Sequence, residues 1–71
     1  MINTRKLKSR IVEIGKTQKE CAVRLNMAAS TFCQKINNVR AFSLDEAHEL
    51  LTLLELPDER FAEYFFYNEV A

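Results

Sequence analysis

The chain has 71 residues, 48% of them apolar, and its ten basic and ten acidic side chains give a formal net charge of zero. A chain of this length buries roughly 60% of its unfolded surface, enough for one core but not for a deep substrate cleft as well. We therefore expect a single domain over residues 1–71 that is not an enzyme and holds no cofactor or small-molecule ligand. No apolar run approaches the roughly 20 residues that span a bilayer, which favours a cytoplasmic protein without membrane contact.

Glycine and proline are scarce and strand patterns are weak, so the sequence predicts helices. Leu7, Ile11 and Ile14 recur at the i, i+4, i+7 spacing of one helical face. Gly15 follows them, and glycine is the usual left-handed residue after a helix. The first predicted helix therefore covers about residues 4–14.

The second predicted helix begins at Thr17. Thr17 and Glu20 have the spacing of a capping box, in which each side chain bonds the backbone N–H of the other residue. The helix covers about residues 17–25 and ends at Asn26, a residue type that tolerates the left-handed conformation.

Phe32 and Ile36 stand four residues apart and predict the buried face of a third helix over about residues 29–37. Residue 28, just before it, is an alanine. Because alanine has no capping oxygen, this helix start lacks about 1 kcal/mol of stabilisation, and a start nearer Ser30 is an open alternative.

A second capping box, Ser43 with Glu46, predicts a fourth helix, and Phe42 precedes it as a hydrophobic staple. Its apolar positions are Leu44, Ala47, Leu50, Leu51, Leu53 and Leu54. Pro57 ends this helix, and Asp58 is expected to cap the next turn. A last short amphipathic helix follows with Phe61, Tyr64 and Phe65. The predicted fold class is all-α, a compact bundle of about five short helices.

The second and third helices, separated by a turn of about three residues, form a helix-turn-helix pattern. The stretch from Thr17 to Leu56 resembles the Cro/CI-type, or xenobiotic-response-element, helix-turn-helix family of bacterial and phage repressors. The matching residues are Gln18, Ala22, Leu25, Met27, Ser30, Thr31, Phe32, Lys35, Ile36 and Asn37, followed by the run from Arg40 to Glu46. The resemblance implies a lambda-repressor-like domain of a small phage-borne regulator that binds double-stranded DNA, with the third helix in the major groove.

The outward face of the third helix supplies the candidate base-reading residues. They are Ala29, Ser30, Cys33, Gln34 and Asn37. Gln34 can pair bidentately with adenine, and Ser30 can bond several base edges. For Ala29, the alternative is a plain helix former without a DNA contact.

Candidate phosphate contacts lie at helix starts and beside the third helix. They are Thr17, Gln18, Thr31, Lys35, Asn38 and Arg40. The resemblance implies that Gln18 binds a phosphate and steadies the recognition helix. Contacts to phosphate contribute to the affinity for DNA and not to sequence specificity. For Lys35, the alternative is a solvated surface lysine.

The two cysteines are expected to have different surroundings. Cys21 belongs to the apolar stripe of the second helix and is predicted to lie in the core. For Cys33, a packed thiol, a groove contact and a redox-sensitive residue are alternatives. With one histidine, two cysteines supply neither a disulfide framework nor four zinc ligands, so no metal site is expected.

Charge is distributed unevenly along the chain. Residues 1–40 hold nine basic and two acidic side chains, a net of +7, and residues 41–71 hold one basic and eight acidic side chains, a net of −7. A basic half suits contact with a polyanion, with the acidic half facing away from it. The alternative is chance segregation of charge.

One helix-turn-helix covers only one half-site, so we expect a homodimer. The predicted interface lies at the C-terminal end, with residues 57–71 as its tail: Leu53, Phe61, Tyr64, Phe65, Phe66 and Tyr67. The alternative is that these side chains close the core of the monomer. A competing function is a protein-interaction module, such as an antitoxin-like or antirepressor subunit, that keeps the fold and does not bind DNA.

Overall fold

The helices of the structure follow the predicted order. The computed structural model describes residues 1–66 and contains five α-helices: α1 (Thr4–Glu13), α2 (Gln18–Arg24), α3 (Ala29–Ile36), α4 (Leu44–Leu53) and α5 (Phe61–Phe65). One turn of 3₁₀ helix, Asp58–Arg60, precedes α5. No strand occurs in the part of the chain described, so the predicted all-α fold class is confirmed. None of the helices in residues 1–66 has both the length and the apolar character that a membrane-crossing helix needs.

Side-chain caps stabilise the starts of three helices. At α1, Asn3 Oδ1 accepts the Lys6 N–H at 3.1 Å. The predicted capping boxes of α2 and α4 are confirmed: Thr17 with Glu20 and Ser43 with Glu46. Helix α3 begins at Ala29 and not nearer Ser30, and Ala28 before it makes no side-chain cap hydrogen bond. Asp58 does not cap the turn after Pro57 but is its first residue.

Four helices end in the same left-handed turn. The residue just after each C-cap has φ between 57° and 74°: Gly15, Asn26, Asn38 and Glu55. Two backbone hydrogen bonds close each of these ends, as in the Schellman motif. The sequence pattern predicts the ends at Gly15 and Asn26, but it does not predict a glutamate in this conformation.

We expect the Glu55→Gly substitution to stabilise the fold by about 0.5 to 1 kcal/mol. Glu55 has φ 57°, a backbone conformation that destabilises a residue with a Cβ by roughly 1 kcal/mol or more and glycine by little. Glycine also gives the unfolded chain more conformational entropy, which offsets part of this gain in folding free energy. Urea unfolding followed by circular dichroism measures the change. Asn26→Gly is the matched control and should gain less, because asparagine tolerates this conformation; a loss of stability in Glu55→Gly would contradict the prediction.

The core draws on all five α-helices. The largest fully buried side chains are Phe32, Leu7, Ile11, Ile36, Leu50, Leu51, Leu54 and Cys21. Helices α2 and α3 pack on each other more extensively than any other pair in residues 1–66, and the small Ala22 is buried in this core. The core position predicted for Cys21 is confirmed, and its burial raises the pKa of the thiol.

Leu44 is an exception to the predicted apolar stripe of α4, because 65% of it is exposed. It shares an angular position with Leu51 but lies two turns earlier, at the first residue of the helix. No described element covers that end of the stripe, so Leu44 remains at the surface.

The C-terminal aromatic side chains divide into a buried and a more exposed group. Tyr64 and Phe65 are 6% and 5% exposed and close the core of the single chain. Because these two side chains have little free surface to bury against a partner, the structure favours the alternative in which they close the core of the monomer, and their part in a dimer interface stays a prediction. Leu53 and Phe61 are half-buried against the core and Phe66 is 66% exposed, and for these three an interface stays a prediction. Tyr67 lies outside the described residues.

Candidate nucleic-acid interface

Helix α3 has one buried and one exposed face. Phe32 and Ile36 are fully buried. All five candidate base-reading residues are exposed: Ala29, Ser30, Cys33, Gln34 and Asn37. The structure therefore brings these residues together at the solvent-facing side of one helix.

The polar side chains on that face differ in their existing contacts. Ser30 and Gln34 are exposed, and neither side chain hydrogen-bonds another residue of the described chain. Asn37 Nδ2 donates to the Cys33 carbonyl oxygen at 2.8 Å, and its Oδ1 accepts from Lys8 Nζ at 2.9 Å. Ser30 and Gln34 can thus bond a ligand without losing a protein contact, whereas Asn37 must exchange one.

Four candidate phosphate contacts lie where a phosphate can reach them. The Thr17 hydroxyl accepts the Glu20 N–H at 3.1 Å and still has its own proton to donate. Gln18, the first residue of α2, and Thr31 are half-buried. Arg40 is exposed and makes no ion pair within residues 1–66.

Lys35, by contrast, is committed to an ion pair. Its Nζ lies 2.6 Å from Oε1 of Glu46, and 14% of its side chain is exposed. The same oxygen accepts the Ser43 N–H at 2.9 Å. The hydrogen bond from Lys35, followed by that from Ser43, holds the pKa of the Glu46 carboxyl below its usual value. This pair ties α3 to the first turn of α4, so a phosphate contact by Lys35 requires the pair to open.

Asn38 is held by the N-terminal segment, residues 1–3. Its Oδ1 accepts the Ile2 N–H at 2.8 Å, and its Nδ2 donates to the Ile2 carbonyl oxygen at 3.1 Å and to Thr4 Oγ1 at 3.2 Å. The Thr4 hydroxyl in turn donates to the carbonyl oxygen of Ile36, in the last turn of α3, at 2.6 Å. Sequence reasoning misses Ile2 and Thr4, because their partners lie 32 to 36 residues away and no local pattern signals them.

Unpaired positive charge is confined to the first 40 residues. Residues 1–66 contain the ion pairs Lys6–Glu63, Arg10–Glu13, Lys35–Glu46 and Arg60–Glu63. The basic side chains that make no ion pair there are Arg5, Lys8, Lys16, Lys19, Arg24 and Arg40. Glu63 accepts hydrogen bonds from Arg60 and then Lys6, which together lower the pKa of its carboxyl to about 2. Two of the pairs, Lys6–Glu63 and Lys35–Glu46, use carboxylates of the second half to neutralise basic side chains of the first 40 residues, which keep the six basic side chains that make no ion pair within residues 1–66.

Comparison with known proteins places the chain in a family. A family model described as "Protein of unknown function (DUF739)" matches residues 2–69. The chain belongs to this family. The DUF739 match covers all five helices and includes Ile2, so the exposed face of α3 and the contacts of the N-terminal segment both lie within it. No curated protein matches the chain.

Proposed function

We propose that this DUF739 chain binds double-stranded DNA at a specific sequence and acts as a small transcription regulator of the Cro/CI type in a bacterial cytoplasm. Helices α2 and α3 form the helix-turn-helix, and α3 enters the major groove as the recognition helix. The resemblance over residues 17–56 supports this function, and so does the chemistry of the exposed face of α3.

The observation that carries the proposal is the lack of charge on that exposed face. Charged residues make up 28% of the chain, yet all five exposed positions of the face are uncharged, and Gln34, Ser30 and Asn37 bear hydrogen-bonding groups. Base edges in the major groove present neutral donors and acceptors, which glutamine, asparagine and serine match. A merely solvated helix face has no such requirement and usually carries charge.

The ion pairs within residues 1–66 leave Arg40 free to contact a phosphate. The basic residues that make no ion pair in this part of the chain all precede position 41, and Arg40 lies in the loop after α3, four residues beyond Ile36. Thr17 and Gln18 lie at the start of α2, where backbone N–H groups attract anions. We assign the phosphate contacts to these side chains and to Thr31; Lys35 contributes only if its pair with Glu46 opens.

The functional unit that we propose is a homodimer, because one helix-turn-helix covers one half-site. Residues from the N-terminus, the end of α3 and the loop after it, α4 and α5 line a groove of about 330 Å³, and Lys35, Asn38 and Arg40 are among them. Its exposed apolar side chains are Met1, Leu44 and Phe66, beside the half-buried Phe61. Single apolar side chains are common at protein surfaces, but a cluster of this kind suits a second copy. Sedimentation that shows a monomer at high micromolar concentration, both free and on DNA, would exclude the dimer.

Binding of a labelled random-sequence duplex at increasing salt tests the proposal. Each phosphate neutralised by a lysine or arginine side chain contributes a slope of about −0.9 to log K against log salt. Four such contacts among the six basic side chains that make no ion pair within residues 1–66 therefore weaken binding roughly a hundredfold between about 50 and 200 mM. We expect tight binding at low salt and a fall of this order. A selection from a random DNA pool then identifies the operator.

Absence of binding to any duplex at low salt would overturn the proposal. That result would favour the protein-interaction module, whose contact surface would be the groove lined by the apolar Leu44, Phe61 and Phe66 and by Arg40. If the chain binds DNA but the selected pool shows no preferred sequence, the protein is a nonspecific DNA-binding protein. The proposed base-reading role of α3 would then be wrong.

A further inference from the structure

Asn38 occupies a backbone conformation that admits few residue types. It follows the C-cap of α3 with φ 64°, where glycine is the commonest residue and asparagine the next. Asn26 holds the equivalent place after α2 with φ 59°, and its side chain makes no hydrogen bond within residues 1–66. Asn38 differs because both polar atoms of its amide are bonded. A glycine would satisfy the backbone at either site, but only at Asn38 would it remove tertiary contacts.

The amide of Asn38 pairs with Ile2 as the backbone of a neighbouring strand would. It accepts the Ile2 N–H and donates to the Ile2 carbonyl oxygen. The segment that it bonds is itself held in place, since Ile2 packs on the core and the Asn3 N–H donates to the Tyr64 carbonyl oxygen at 2.7 Å. Asn38 therefore ties the end of α3 to a part of the chain that is anchored independently.

The two ends of α3 are held differently. Its start has no side-chain cap. The residues from its last turn to just past its C-cap make four contacts with other elements: Lys35 with Glu46, Ile36 with Thr4, Asn37 with Lys8, and Asn38 with Ile2. Core packing orients α3 along its length, and the polar contacts that fix it to other elements are concentrated at its C-terminal end.

We propose that Asn38 is a positioning residue for the recognition helix and does not contact phosphate. This inference rests on the proposed function. Hydrogen bonds to base edges need donor-acceptor distances of roughly 2.7 to 3.2 Å, so a shift of α3 by about half an ångström weakens them. Contacts to phosphate made by long flexible side chains tolerate such a shift. Loss of the Asn38 amide is therefore expected to reduce the preference for the operator and to leave nonspecific binding intact.

Affinities of the full chain for the selected operator and for a random duplex, each measured over a salt series, test this role. Asn38→Gly is compared with the wild type and with the matched control Asn26→Gly, at a temperature where thermal unfolding shows every variant to be folded. In Asn38→Gly we expect the ratio of operator to random affinity to fall about tenfold, as for one lost base contact, with an unchanged salt slope. Asn26→Gly should leave the ratio unchanged. Thr4→Val, which removes the bond to Ile36 and one bond to Asn38, should lower the ratio in the same direction and serves as the second variant if Asn38→Gly does not fold.

Three results would overturn the inference, and each differs from a failure of the proposed function. An equal loss of affinity on both duplexes would make Asn38 a phosphate contact. An unchanged ratio in Asn38→Gly, despite lower thermal stability, would make its contacts merely structural. An equal fall of the ratio in Asn26→Gly would remove the assignment to the Asn38 amide. A wild-type chain that binds no duplex at low salt would instead overturn the proposed function, and this inference with it.

Discussion

Replacing Phe32 with alanine is expected to destabilise the fold by about 3 to 5 kcal/mol, the usual cost of emptying a buried phenylalanine site. Phe32 is fully buried. Its ring lies edge-on to that of Phe42, with 5.9 Å between the ring centroids. The ring of Phe42 in turn lies edge-on to that of Phe65, with 6.3 Å between the ring centroids. Phe32 therefore connects α3 to the loop before α4 and, through Phe42, to α5. A chain of 71 residues has a total stability of roughly 4 to 10 kcal/mol. The substitution therefore removes a large part of it.

Urea unfolding of Phe32→Ala, followed by helical circular dichroism, measures this loss. Val23→Ala on the exposed side of α2 is the control, because Val23 is 69% exposed and surface substitutions usually change stability by less than about 0.5 kcal/mol. A loss below about 1 kcal/mol in Phe32→Ala would show that this side of α3 is not the buried one. The assignment of the opposite side to DNA would then fail as well.

The second large effect is expected from Gln34→Ala, on DNA binding and not on stability. The Gln34 side chain is exposed and makes no hydrogen bond within the described chain, so its removal leaves no buried group without a partner. If it pairs bidentately with an adenine, the affinity for the selected operator falls by about 1 to 3 kcal/mol, or roughly 5- to 150-fold. The affinity for random duplex should hardly change, because most of its sequences do not place an adenine where Gln34 would pair with it.

Gln18→Ala provides the contrasting variant for that measurement. Gln18 is proposed to bind phosphate, which every duplex offers, so its loss should weaken binding to the operator and to the random duplex by the same factor. Equal losses on both duplexes in Gln34→Ala would remove Gln34 from the base-reading residues. A selective loss in Gln18→Ala would exchange the proposed roles of the two glutamines.

The helices could be predicted because their signals are local. Both capping boxes bond residues three apart, and Phe32 and Ile36 show the buried side of α3 by their spacing alone. The same spacing predicts which residues are exposed on α3, so the candidate base-reading face also follows from the sequence. Covalent geometry and the 3.6-residue period of the helix settle these features before any tertiary contact forms.

The roles of individual polar and charged residues could not be predicted in the same way. Lys35 has the charge of a phosphate contact, but a carboxylate of the next helix, Glu46, lies within 2.6 Å of it. Asn38 has the amide of a DNA-binding residue and uses it on Ile2. In both cases the partner lies on another element, and its proximity depends on how the helices pack.

By itself, the sequence of this chain determined the order of the helices, the capped starts of α2 and α4, the buried side of α3, and the opposite charges of the two halves. Only the tertiary structure decided which of the aromatic side chains close the core, which basic groups are neutralised, and that the N-terminal segment holds the end of α3. The reason is the range of the interactions involved. Caps and periodicity act within about one or two helical turns, whereas burial and ion pairing depend on distances between atoms that the chain brings together only when its helices pack around one core.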